Sequence, residues 1–130
     1  MNEKSVLVVD DEKAFLVSIK RLLKDPGFFV ATAESLEEAM ALLNEYEFNV
    51  VITDIRLSNA TRNEGLELLQ YIREFQPHTA VVILTGYGNS KIMENAYSLG
   101  ANIYLEKPVP FRILRSIIEN QRGNGCSRSG

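Results

Sequence analysis

Val6-Leu7-Val8-Val9-Asp10-Asp11 is a short, β-branched run that stops on two acids, and the rest of the chain is read from it. An apolar run of this length closed by polar residues has the form of a buried strand. Three further runs end in a similar way: Val50-Val51-Ile52-Thr53 in Asp54, Val81-Val82-Ile83-Leu84 in Thr85, and Ile103-Tyr104-Leu105 in Glu106-Lys107-Pro108. As parallel strands, they would gather three carboxylates, a hydroxyl and an ammonium at one edge of one sheet. Those are the groups of a divalent-metal and phosphoryl site.

The intervening segments support parallel strands. Strands are predicted over Ser5 to Asp10, Phe28 to Ala33, Asn49 to Thr53, Ala80 to Leu84 and Ala101 to Leu105. Phe15, Ile19, Leu22 and Leu23 recur at helical spacing from Glu12 to about Lys24, where Asp25-Pro26-Gly27 supplies a stop. Ser35 stands before Glu38 as a capping box, with Leu36, Ala39, Met40 and Leu43 on one face of the helix behind it. Leu66, Leu69, Ile72 and Phe75 mark a third helix, ended by Pro77. Ser90 to Leu99 is a fourth, closed by Gly100, and Phe111, Leu114, Ile117 and Ile118 mark a fifth. Alternating β and α elements with wholly apolar strands imply an α/β fold, a doubly wound five-stranded parallel sheet with helices on both faces. Right-handed crossovers put every strand's carboxyl end on the same edge, and the order 2-1-3-4-5 makes Asp10, Asp11 and Asp54 neighbours there.

Bulk properties narrow the function classes. The chain has 130 residues, 45% hydrophobic and 24% charged, enough for one sizeable core. Residues 1–120 are expected to form one domain and residues 121–130, polar and Gly/Ser-rich, a flexible linker remnant or tag. Net charge is −3, with no acid in the last ten residues. So acidic a domain is a poor candidate for direct nucleic acid binding, which needs clustered Lys and Arg. No apolar run is long enough to span a membrane, and Asn2-Glu3-Lys4 is no secretory start. The single cysteine, Cys126, can form no internal disulfide. A cytoplasmic location is the expectation.

On these residues the chain resembles the receiver domain of two-component response regulators, over about residues 4–120. The carriers are the acidic pair Asp10-Asp11, then Asp54, Thr85 and Lys107-Pro108, each after its strand. The resemblance implies a flavodoxin-like three-layer sandwich that takes a phosphoryl group from a sensor histidine kinase or phosphotransfer protein onto Asp54. It implies Mg²⁺ as cofactor, with Asp11 and Asp54 as direct ligands, Asp10 acting through water and the Arg56 backbone carbonyl adding an oxygen. A hard cation suits that set, because it cancels the repulsion between a carboxylate nucleophile and an anionic phosphoryl group. Lys107 would pair with the phosphoryl oxygens and Thr85 would hydrogen-bond to them. Thr85 and Tyr104 would form the switch, biasing an output face over residues 90–118 that is also a candidate homodimer surface. Such a domain accepts a phosphoryl group and loses it to water, and is not a turnover enzyme on an external substrate. A C-terminal output domain would follow in the full-length protein. Leu84-Thr85-Gly86-Tyr87-Gly88 is similar to receivers of transcriptional activators of the nitrogen-regulation type.

Each residue also has an ordinary structural reading. Asp10-Asp11 could cap the first helix, Asp54 open a turn, Thr85 serve as a strand residue, Lys107 sit solvated, and Tyr104 pack half-exposed. Their joint placement favours the site. A flavodoxin-like FMN carrier would find its phosphate repelled by Asp10-Asp11. A phosphatase of the haloacid-dehalogenase type would need an Asp where Arg56 stands. A degenerate receiver acting as a phosphorylation-independent interaction module is the alternative that remains. Two departures from the family pattern lie beside the site: Ser58 and Arg62 stand where Pro and Gly are usual, with Gly65 the equivalent glycine, so the loop over 58–64 is three residues longer.

Overall fold

The short apolar runs do pair edge to edge. In the computed structural model, which describes residues 3–57 and 62–121, β1 (Lys4–Val9), β2 (Phe28–Ala33), β3 (Val50–Thr53), β4 (Ala80–Thr85) and β5 (Ile103–Glu106) form one parallel sheet in the order β2-β1-β3-β4-β5. Five helices connect or follow the strands: α1 (Lys13–Leu22), α2 (Leu36–Glu45), α3 (Glu64–Phe75), α4 (Ser90–Ser98) and α5 (Phe111–Asn120). The parallel doubly wound architecture is as expected. The expected tail over 121–130 falls, apart from Gln121, outside the described residues, as do residues 58–61 of the lengthened loop.

Strand alternation splits the core into two layers. Leu7, Val9, Val51, Val81, Ile83 and Tyr104 face α2, α3 and α4, meeting Leu36, Leu69, Ile72 and Ala96. Val6, Val8, Val50, Ile52, Val82 and Leu84 face α1 and α5, meeting Leu16, Ile19, Leu114 and Ile118. Burying a Leu or Ile side chain contributes about 1.5–3 kcal/mol. These layers hold the sheet rigid enough for its edge to carry a precise site.

Element ends follow local chemistry. The Ser35 hydroxyl accepts from the Glu38 N–H at 3.1 Å, but the returning Glu38 carboxylate takes the Glu34 N–H at 2.8 Å rather than that of Ser35. The box is thus shifted by one residue on its return arm. α4 closes as a Schellman motif: Gly100 has φ +107°, its N–H donates to Tyr97 O, and the Ala101 N–H donates to Ala96 O at 2.9 Å. α5 has no basic residue in its last turn. Lys4 of β1 supplies one, its ammonium donating to the carbonyls of Ile118, Glu119 and Gln121.

Some boundaries move from their expected places. β1 ends at Val9, so Asp10 and Asp11 both lie beyond the strand, while β4 takes in Thr85 and β5 runs from Ile103 to Glu106. α3 starts at Glu64, before its first periodic leucine, because the Gly65 N–H donates to Ile55 O at 2.7 Å and pulls the helix start against the end of β3.

Candidate functional site

The sheet register sets the site. Val9 lies opposite Thr53, and Thr53 opposite Ile83, so Asp10 and Asp54 leave adjacent strands side by side. Thr85 pairs with Glu106, and the next residue, Lys107, donates its backbone N–H to Thr85 O at 2.9 Å. Four of the expected site residues therefore arrive at one edge through strand pairing alone.

Asp10 and Asp54 are buried, at 2% and 4% exposure. Burying two carboxylates is costly unless they are paired and hydrogen-bonded. Both conditions are met. Lys107 Nζ donates to Asp10 Oδ2 at 2.8 Å and to Asp54 Oδ2 at 3.0 Å, bridging the pair. Asp10 Oδ1 accepts from the Glu12 N–H at 2.9 Å, and Asp54 Oδ1 from the Ile55 N–H at 2.7 Å. Burial pulls the Lys107 pKa down, but the hydrogen bonds to Asp10 and Asp54 outweigh it and the net direction is upward. The ammonium stays charged at any physiological pH.

The ordinary readings are met in part. Asp10 does make a local turn bond to Glu12, yet α1 has no side-chain cap, so capping does not explain the acidic pair. Asp54 opens a turn and Thr85 is a strand residue, but Lys107 is no free surface charge.

Asp11 stands exposed beside the pair. Desolvation first, then the charge of Asp10 and, less, that of Asp54, push its carboxyl pKa up, against a lowering by its own backbone hydrogen bond and, less, by Lys107. Among the described residues no three His, Cys, Asp or Glu side chains converge closely enough to hold an ion. The donor chemistry still fits a hard cation: the acidic oxygens of Asp10, Asp11 and Asp54 outnumber the Lys107 ammonium at this edge, and the charges of Asp10 and Asp54 add to desolvation in raising Asp11. Arg56 lies at the rim, its N–H 3.4 Å from Asp54 Oδ1 and its guanidinium carbon 4.8 Å from the centre of the Tyr87 ring.

Thr85 is fully buried, and its hydroxyl accepts from the Tyr87 N–H at 3.1 Å. Tyr104 is 8% exposed, more deeply set than a half-exposed packing residue. It packs on Tyr97, and the Tyr97 hydroxyl accepts from its backbone N–H at 3.1 Å. Its own hydroxyl is buried without a hydrogen bond of ordinary geometry, the Asn89 backbone being a polar neighbour. A Cβ on Gly88 would lie 1.6 Å from that oxygen and 3.2 Å from the Thr85 methyl, so Gly88, Thr85 and Tyr104 converge on one spot.

A model of the response regulator receiver domain matches residues 6–119. This chain belongs to that family. The receiver is 40% identical over 106 residues to the acid tolerance regulatory protein ActR of Rhizobium meliloti, spanning 82% of this chain and 53% of ActR. It is 36% identical over 108 residues to a putative NtrX-like response regulator of Rickettsia felis, spanning 83% of this chain and 22% of that protein. The receiver thus spans about half, or less, of these curated relatives, and the NtrX-like match supports the nitrogen-regulation resemblance. Among solved structures it is similar to a Burkholderia pseudomallei response regulator with a phosphorylated aspartic acid, calcium ion and citrate, at TM-score 0.81 and 29% identity, covering 91% of this chain and 68% of that one.

Three positions lie outside the expected site residues, and the first two acquire their place only in the folded receiver. Phe15, which periodicity assigns to the apolar face of α1, lies 5.3 Å beneath the Lys107 ammonium. Gly88 reads as a turn glycine but makes room for the Tyr104 hydroxyl. Asn89 caps α4, accepting from the Ile92 N–H at 2.9 Å. An Asn before a helical run was a legible signal.

Proposed function

We propose that Asp54 is the phosphoacceptor of this receiver, in a response regulator whose donor is a phosphohistidine on a sensor kinase or phosphotransfer protein. The observation that carries this reading is the Lys107 bridge: one ammonium pinned to Asp10 and Asp54 at 2.8 and 3.0 Å. An Asp54 oxygen attacks phosphorus, the P–N bond to the imidazole breaks with its electron pair going to nitrogen, and an acyl phosphate forms. Lys107 follows the negative charge from carboxylate to phosphoryl oxygens. The Thr85 hydroxyl exchanges its bond from the Tyr87 N–H for one donated to a phosphoryl oxygen. Asp11, Asp54 and the Arg56 carbonyl, with Asp10 at one remove, would hold Mg²⁺, which when bound cancels charge on the transferring group. Tyr104 and Thr85 act together as the switch, because their side chains converge at Gly88. The face over residues 90–118 carries the output, through a homodimer or a following domain. The receiver is not a turnover enzyme, and it works in the cytoplasm; among the described residues no helix is long and apolar enough to cross a membrane.

Incubation with a small phosphodonor and Mg²⁺, followed by intact mass measurement, tests this. One phosphoryl group is expected, lost in Asp54→Asn and on chelation. Phosphorylation of Asp54→Asn at the wild-type level overturns the assignment, and failure of the wild type to react favours an interaction module instead.

A further inference from the structure

Two carboxylates are not all that holds Lys107. Its ammonium stands over the face of the Phe15 ring, 5.3 Å from the centroid. Phe15 in turn stacks on Phe111, the centroids 6.1 Å apart and the planes at 26°. One ring comes from α1 and the other opens α5, so the two helices on this side of the sheet meet at Lys107. An ammonium has three protons, of which Asp10 and Asp54 take two. The electron-rich face of an aromatic ring suits the remaining side of the cation. Lysine's stem is flexible and would otherwise let the charge wander.

We propose that Phe15 is a positioning residue for Lys107: its ring, backed by Phe111, holds the ammonium above the acid pair, ready to follow charge onto a phosphoryl group. The inference rests on the reading of Asp54 as phosphoacceptor. Bulk alone does not account for the arrangement. Phe15 is only partly buried against the α1 and α5 core, and Phe111 is 39% exposed. Any apolar side chain would fill that space; only a ring presents a face to a cation.

The test compares Phe15→Leu with Phe15→Tyr in the full chain, by two readouts. The first is the rate at which a small phosphodonor modifies Asp54 with Mg²⁺ present. The second is the NMR shift of the Lys107 Cε protons in metal-free protein, where a ring face moves them upfield. Phe15→Leu is expected to slow modification roughly two- to fivefold, the span of an exposed cation–π contact converted to a rate, and to abolish the upfield shift. Phe15→Tyr keeps both. A wild-type rate or an unmoved shift in Phe15→Leu overturns the proposal, as does an equal loss in Phe15→Tyr. Should Phe15→Leu not fold, Phe111→Leu leaves the ring in place but unbacked and is expected to give a partial loss of both readouts; no loss overturns the proposal. Failure of the wild type to gain a phosphoryl group strikes the Asp54 assignment, while the NMR comparison still judges Phe15.

Discussion

Tyr104 places a hydroxyl in a buried position without a good partner. Leaving a buried donor unsatisfied costs about 1–3 kcal/mol, so Tyr104→Phe is expected to raise stability by about 1 kcal/mol in urea unfolding. A fall in stability would mean that the hydroxyl is paired after all. The sequence offered Tyr104 as either a packing residue or a switch and left the choice open. What decides its depth is Gly88: a Cβ there would lie 1.6 Å from the hydroxyl oxygen. Residues so far apart along the chain give no local sign of their contact. Asp10, Asp54, Thr85 and Lys107 were legible because each ends or directly follows a strand, and strand ends can be read locally.

At the scale of elements, the join between β3 and α3 is the most constrained. An ideal Cβ on Gly65 would lie 2.0 Å from Asp54 O and 2.8 Å from Ile55 Cα, both backbone atoms that cannot swing aside. Helix propensity favours alanine over glycine by about 0.5–1 kcal/mol, but forcing a methyl into a packed contact costs about 1–3 kcal/mol. The clash wins. Gly65→Ala is expected to destabilise the receiver and slow phosphorylation of Asp54, measured by thermal melting and intact mass. A more stable Gly65→Ala with unchanged phosphorylation would show that the loop after β3 gives way freely. Gly65 was expected to replace the usual glycine of the family, and its close approach to Asp54 supplies the physical reason. α3's early start was not legible, since the hydrogen bond from Gly65 to Ile55 reaches back to the end of β3.

For the whole molecule, pH acts through the shifted groups. Lys107 has a raised pKa, its burial outweighed by Asp10 and Asp54, so its contribution is full below the unfolded value and is lost as pH rises through the folded one. Tyr104 is also raised, by burial first and then by Glu106, and its sign is the same: the folded state keeps the phenol proton that the unfolded chain releases. Stability of metal-free protein is therefore expected to fall from pH 9 to pH 11, on the order of 1 kcal/mol, by urea unfolding. A flat profile would mean that the Lys107 bridge adds nothing to stability. On the acid side Asp25, lowered by its bond to Arg115, and Glu67, lowered by Arg62, lose their contributions as pH falls, whereas Asp11, raised by desolvation and by Asp10, opposes them. The alternation of strand and helix, the parallel sheet and the residues at its carboxyl edge were determined by the sequence itself, because hydrophobic period and strand length are local properties. The tertiary structure alone decided how the charges are arranged: which carboxylates Lys107 bridges, that Asp11 stays exposed beside them, that Phe15 lies under the ammonium and that Tyr104 turns inward. Each of these depends on distances between residues far apart in sequence, and such distances exist only once the sheet register and helix packing have set them.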